Sequence, residues 1–179
     1  KISALEFDVW MRILKQCNES VLWLASANDA VVSNLKKEAE QRGVCSDRII
    51  FASKLKQNSD HLARHKHADL FLDTFNYNAH TTAADALMTG LPIVTKQGNQ
   101  FAARVASSLL KAIDLNELVT YTIKEYESLI IQLVNEPAKL EEIKRKLQNR
   151  IKSGSAFNAL DYTRDFEKKL SSIHRSGQY

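Results

Sequence analysis

Short apolar runs alternate with segments of helical periodicity through the first two thirds of this chain, and that alternation restricts the fold more than any other feature. Val21-Leu22-Trp23-Leu24-Ala25-Ser26 is apolar on both faces and bounded by polar residues, which predicts a buried parallel strand. Arg48-Ile49-Ile50-Phe51-Ala52, Asp69-Leu70-Phe71-Leu72-Asp73, Leu91-Pro92-Ile93-Val94-Thr95 and Leu118-Val119-Thr120 repeat the pattern, and the proline falls at a strand entrance where it is tolerated. Between them the spacing predicts helices from Asn28 or Asp29 to about Gln41, from Ser59 to His67, from Thr81 to Thr89 and from Phe101 to Ile113. Strands alternating with helices of this length require βαβ crossovers. The expected class is therefore α/β, a Rossmann-like parallel sheet flanked by helices.

Local signals punctuate this plan. Ser3-Ala4-Leu5-Glu6 is a capping box opening a helix that carries Leu5, Val9, Trp10, Ile13 and Leu14. Gly43 and Gly90 stand where helices must stop. The last third is helical in pattern. Thr122-Ile123-Lys124-Glu125 is a second capping box leading to Tyr126, Leu129, Ile130 and Leu133, and Glu136-Pro137 interrupts before a charged helix to about Ile151. After a turn at Ser153-Gly154-Ser155, a final helix from Asp161 to His174 bears Tyr162, Phe166, Leu170 and Ile173 on one stripe. The organisation is one lobe over 1–179, with a core over 1–121 and a helical segment over 122–179.

Composition removes several function classes. The five glycines are scattered, so neither a Walker-type phosphate loop nor a G-x-G-x-x-G fingerprint is present. No apolar run reaches the length of a membrane span, and no apolar stretch of the signal-peptide kind follows Lys1. Two cysteines, Cys17 and Cys45, form no framework; free thiols in a reducing, cytoplasmic setting are expected. A net charge of +4 suits an anionic ligand but is too weak and too evenly spread to argue for nucleic acid.

Three clusters can carry chemistry. The run from Asp73 to Asp85 begins at the carboxyl end of a predicted central strand, where open α/β sheets bind ligands. It delivers Thr81 and Thr82 to the first turn of a helix, where backbone N–H groups lack partners and the dipole favours an anion. Asp85 lies one turn on, placed to accept from a sugar hydroxyl. A plain alternative stands beside this: a threonine that merely caps the helix. The second cluster is Lys54, Lys56, His61, Arg64, His65, Lys66 and His67. It reads as a solvated basic face, as a zinc site lacking a convincing third ligand, or as a nucleotide site with a stacking ring and cations. The third, Phe101-Ala102-Ala103-Arg104-Val105-Ala106-Ser107-Ser108, reads as a close-packing helix. No D-x-D pair is present, which favours handling a diphosphate without metal.

The run from Leu72 to Leu87, followed by Gly90-Leu91-Pro92-Ile93-Val94-Thr95 and Phe101-Ala102-Ala103-Arg104-Val105-Ala106, closely resembles the C-terminal catalytic lobe of the O-linked N-acetylglucosamine transferase family. The likeness is to its bacterial members fused to tetratricopeptide repeats, and it extends over nearly the whole chain. It implies the C-terminal lobe of a GT-B glycosyltransferase, binding UDP-N-acetylglucosamine or a similar sugar nucleotide without metal or other cofactor. By motif, Lys1 matches a lysine that contacts the donor diphosphate and stabilises departing UDP. Lys56 matches a ribose-contacting lysine, His61 a histidine that stacks on uracil, and Arg64 an arginine near the base. His80, Thr81 and Thr82 match the sugar- and phosphate-binding triplet, and Asp85 the ribose-binding carboxylate.

The resemblance also implies partners: a protein acceptor, a preceding strand, an N-terminal lobe and repeats that this sequence does not contain. Alternatives are a transferase using UDP-glucose or GDP-fucose, a non-catalytic module that binds a nucleotide sugar, and a nucleotide-sugar epimerase. Half an active site cannot assemble the full electrostatic machinery of transfer. The purified 179-residue chain is expected to have little or no transferase activity in a radiolabelled-donor assay, and robust turnover would refute this.

Overall fold

A computed structural model describes residues 2–25, 27–154 and 158–177. The chain alternates as expected: α1 (Ala4–Gln16), β1 (Leu22–Ala25), α2 (Asp29–Gln41), β2 (Ile49–Ala52), α3 (Asn58–Ala63), β3 (Phe71–Leu72), α4 (Thr81–Met88), β4 (Ile93–Lys96), α5 (Val105–Ala112), β5 (Val119–Thr120), α6 (Ile123–Asn135), α7 (Pro137–Lys152) and α8 (Ala159–Ser176). All strand pairing is parallel. It comes in two pieces, β1–β2 with Leu22 opposite Ile49, and β3–β4–β5 with Phe71 opposite Ile93 and Thr95 opposite Val119.

Helix ends follow local chemistry. The Asn28 side chain accepts from the Val31 N–H at 2.9 Å and starts α2. Gly43 ends it at φ +73°, with Val44 N–H bonded to Ala39 O and Gly43 N–H to Glu40 O, a Schellman arrangement. Gly90 ends α4 in the same way, through Leu91 N–H to Ala86 O and Gly90 N–H to Leu87 O. At α6, Thr122 accepts from Glu125 N–H while Glu125 accepts from the Thr122 and Tyr121 N–H groups.

The core gathers buried residues from α1, α2 and α4 to α7, while α3 contributes none. Ala86, Leu87, Ile93, Leu110, Leu118, Leu133 and Leu147 are fully buried, each contributing roughly 1.5–3 kcal/mol for the larger side chains. Arg12 of α1 bonds Glu127 of α6 at 2.7 Å on the outer rim of that packing.

Four expectations are corrected. The β1 run is buried on one face only: Leu22 is buried, but Trp23 and Ala25 are exposed, because β1–β2 stands as a separate two-stranded piece. The helix expected over 59–67 is α-helical only through Ala63 and tightens into a 3₁₀ turn at Arg64–His67. The helix expected from Phe101 is a 3₁₀ turn at Phe101–Ala103, with Arg104 at φ −128° before α5 begins. The final helix is longer, and its stripe of Tyr162, Phe166, Leu170 and Ile173 is exposed. Cys17 is a buried free thiol, whereas Cys45 is free and exposed. Of the turn expected at Ser153-Gly154-Ser155, Gly154 takes φ +69° and Ser155 lies outside the described residues.

The capping box of α1 goes further than its motif requires. Glu6 is 0% exposed. Its carboxylate accepts from the Ser3 N–H at 3.1 Å, from the Ser3 hydroxyl, and from the Phe75 N–H at 3.0 Å. Burial by itself would push this carboxyl up, but the bonds from Ser3 and Phe75 outweigh it and hold it below its ordinary value. A carboxyl lowered in the folded state stabilises the fold above its ordinary range near 4.5, and that contribution is lost as pH falls through the lowered value. Urea unfolding between neutral pH and acid should therefore show a steeper acid loss in the native chain than in Glu6→Gln. Parallel curves would refute this.

Candidate functional site

The site is built where β3 ends. Asp73 follows β3 directly and is 1% exposed. Its Oδ1 accepts from the Thr74 N–H at 2.9 Å and the Ala79 N–H at 2.7 Å, and its Oδ2 accepts from the Thr95 hydroxyl at 2.6 Å. One buried carboxylate thus closes the loop 73–80 on itself and fastens it to β4. The Tyr126 hydroxyl donates to the Asp73 carbonyl at 3.0 Å and accepts from Trp10 Nε1 at 3.3 Å. Burial pushes the Tyr126 phenol well above its ordinary value, so it stays protonated and able to donate. The Thr74 hydroxyl donates to Tyr77 O, and the Asn78 amide donates to Thr74 O.

The loop after β4 docks onto this one. Asn78 N–H bonds Ala102 O at 2.8 Å, His80 Nε2 lies 3.3 Å from the same carbonyl, and Gly98 N–H bonds Ala103 O at 2.8 Å. Gly98 has no room for a side chain: a Cβ there would stand 2.7 Å from Ala103 Cβ. The His80 ring stacks on Tyr77 at 4.6 Å and meets Phe101 edge-on at 6.2 Å, and Phe101 is 81% exposed. Lys96, at the end of β4, places its ammonium 5.3 Å from the Phe75 ring centre.

His80 is the N-cap of α4, and its side chain makes no cap hydrogen bond. Thr81 and Thr82 are its first two residues and are exposed. The capping alternative for these threonines is therefore not what the structure adopts. Their backbone N–H groups occupy positions where a helix supplies no acceptor, at the positive end of its dipole. Asp85 is half-buried in the next turn.

The basic cluster meets α4 at its C-terminal end, at the C-cap Thr89. His65 Nδ1 is 3.1 Å from the Thr89 hydroxyl, and the His61 and His65 rings meet edge-on at 5.4 Å. Burial pushes the His65 imidazole below its ordinary value, repulsion from His61 and Arg64 adds to this, and Asp85 opposes it. Arg64 donates to the Ser53 carbonyl at 3.1 Å, tying the cluster to the end of β2. Lys56 is exposed in the loop before α3. Lys1 lies outside the described residues. Among the described residues no group of three or more His, Cys, Asp or Glu could hold a metal ion, so the zinc reading of His61 and His65 has no third ligand.

A model of glycosyl transferase family 41 matches residues 1–166. The chain belongs to glycosyl transferase family 41. Within this family it is 34% identical over 173 residues to the UDP-N-acetylglucosamine–peptide N-acetylglucosaminyltransferase of Caenorhabditis elegans, covering 97% of this chain and 15% of that protein. It is 31% identical over 175 residues to the probable transferase SEC of Arabidopsis thaliana, covering 96% of this chain and 18% of that one. A solved structure of a Thermobaculum terrenum O-GlcNAc transferase mutant, K341M, superposes with a TM-score of 0.90 at 30% identity, over 98% of this chain and 34% of that one. The Rossmann-like lobe of a GT-B glycosyltransferase expected from sequence is thus the fold of this family 41 chain. It spans less than a fifth of the two curated relatives' length.

Sequence reasoning missed Glu6, Trp10, Thr95, Lys96 and Tyr126 as supports of the site. Asp73 carried a signal: an acidic residue directly after an apolar strand, followed six residues later by Ala79, whose N–H it takes. Tyr126→Phe deletes a buried hydroxyl that bridges two elements, so it should cost about 1–2 kcal/mol in urea unfolding. A change within error of zero would refute the bridge.

Proposed function

We propose that this chain is the donor-binding part of a protein O-glycosyltransferase, moving N-acetylglucosamine from UDP-N-acetylglucosamine to a serine or threonine hydroxyl with inversion. The observation that carries the reading is the N-terminus of α4. The His80 side chain at its N-cap makes no cap hydrogen bond, and the helix presents Thr81 and Thr82 to solvent at the carboxyl edge of the sheet. The names of the relatives and the superposed structure support the same donor and acceptor class.

In this reading Thr81 and Thr82 hold the diphosphate with backbone N–H groups and hydroxyls. His80, stacked on Tyr77, faces the sugar. His61 and Arg64 hold uracil, while Lys56 and Asp85 contact the ribose. Lys1 is the cation that neutralises departing UDP. The acceptor hydroxyl oxygen attacks the anomeric carbon and gives up its proton to a base as the bond from that carbon to the diphosphate oxygen breaks and UDP leaves. Charge then grows on the phosphate, where prearranged donors stabilise the transition state. The acceptor protein, an N-terminal lobe and repeats would come from outside these 179 residues. A cytoplasmic setting belongs to the same reading, supported by two unbridged cysteines. No helix among the described residues is long and apolar enough to cross a membrane.

Calorimetric titration of the full-length protein with UDP, UDP-N-acetylglucosamine, UDP-glucose and GDP-fucose tests the assignment. UDP and UDP-N-acetylglucosamine should bind, and Thr81→Ala should weaken UDP by about tenfold. Absence of binding by all four ligands would overturn the site, and preference for GDP-fucose would overturn the donor.

A further inference from the structure

We infer that Glu6 is a positioning residue for the donor site, because its carboxylate fixes the loop leading into Thr81 and Thr82 to the first turn of α1. The inference rests on α4 being the diphosphate site.

A glutamate at the third helical position ordinarily serves the helix alone, reaching back to the N-cap N–H while water satisfies its second oxygen. Here water does not reach it: Glu6 is fully buried. One oxygen, Oε2, takes the Ser3 N–H and the Ser3 hydroxyl. The other, Oε1, takes the N–H of Phe75, a residue 69 positions further along the chain. A buried carboxylate is costly unless several donors converge on it, and three do.

Phe75 sits between the loop N–H groups that Asp73 already holds, those of Thr74 and Ala79. The Phe75 ring packs edge-on against Tyr126 at 5.1 Å, so the residue is anchored by its side chain as well. The loop is therefore held from two sides, by Asp73 from its own strand and by Glu6 from α1. The chain leaves this double restraint at Ala79 and enters α4 through His80. Donors that bind an anion work by being aimed in advance, and small errors in placement cost affinity. Releasing the Phe75 N–H would leave it buried without its acceptor. The loop would then relax toward another partner, carrying the first turn of α4 with it.

Three variants of the full-length protein separate this from a purely structural role. Glu6→Asp keeps the charge and the acceptor at the start of α1 but is one methylene too short to reach Phe75. Glu6→Gln keeps an oxygen that can accept from Phe75. Ser3→Ala removes the serine hydroxyl and leaves the Phe75 bond. We expect Glu6→Asp to weaken UDP binding and raise the donor KM by about tenfold with kcat preserved at saturating donor. Glu6→Gln should restore both to within about threefold of the native protein. Ser3→Ala should lower Tm while leaving UDP affinity within about twofold. A folded Glu6→Asp that binds UDP like the native protein would overturn the inference, as would Ser3→Ala weakening UDP to the same degree. Failure of the native protein itself to bind UDP would instead overturn the reading of α4.

Discussion

The buried carboxylate of Asp73 is the interaction on which the rest of this lobe depends. A β-strand and a helix separated by eight residues need a loop whose backbone N–H groups find acceptors away from water. Asp73 supplies acceptors for Thr74 and Ala79 from a single side chain, and its second oxygen binds the Thr95 hydroxyl of β4. Its own carbonyl is held by Tyr126, which is held in turn by Trp10. Elements far apart in sequence are thereby joined at one point: α1, the end of β3, β4 and α6. The direction of α4 follows from that junction.

This arrangement explains how short strands suffice. β3 and β5 have two residues each, too few for ladder bonds alone to hold the sheet edge in register. The ladder is continued by side chains, with the Thr120 hydroxyl donating to Thr95 O at 3.0 Å and Thr95 donating to Asp73. Polar side chains in the buried end of the sheet are mutually satisfied, so they specify register where an apolar set would allow slippage.

What was legible in the sequence was local. Asn28, Thr122 with Glu125, Gly43 and Gly90 act on backbone groups within a few residues, and each sits in the structure as its motif implies. The alternation of strands and helices was legible for the same reason. The first turn of α4 was legible as an uncovered helix end beside β3, although spacing alone left a capping role open for Thr81 and Thr82. Contacts across long stretches of chain were not legible. Glu6 reads as half of a capping box, and nothing near it announces Phe75. Trp23 reads as core, and only the separation of β1–β2 from the other strands leaves it exposed. The helix expected from Phe101 fails at Arg104 because the loop 97–103 must close on Gly98 and Ala103, a tertiary demand that overrides helical spacing.

The absence of a side-chain cap on α4 has a consequence for how this lobe tolerates genetic change. In the proposed reading, part of the hold on the anion comes from main-chain N–H groups, atoms that every residue except proline possesses. Substituting the exposed threonines alters hydroxyls but leaves those donors in place. A second vulnerability lies inward, at Asp73, Glu6, Tyr126 and the crowded Gly98, which hold the loops around the start of α4. Changes at the exposed threonines and in this concealed scaffolding would then act by different routes, the first by removing a donor and the second by misplacing the turn that carries it.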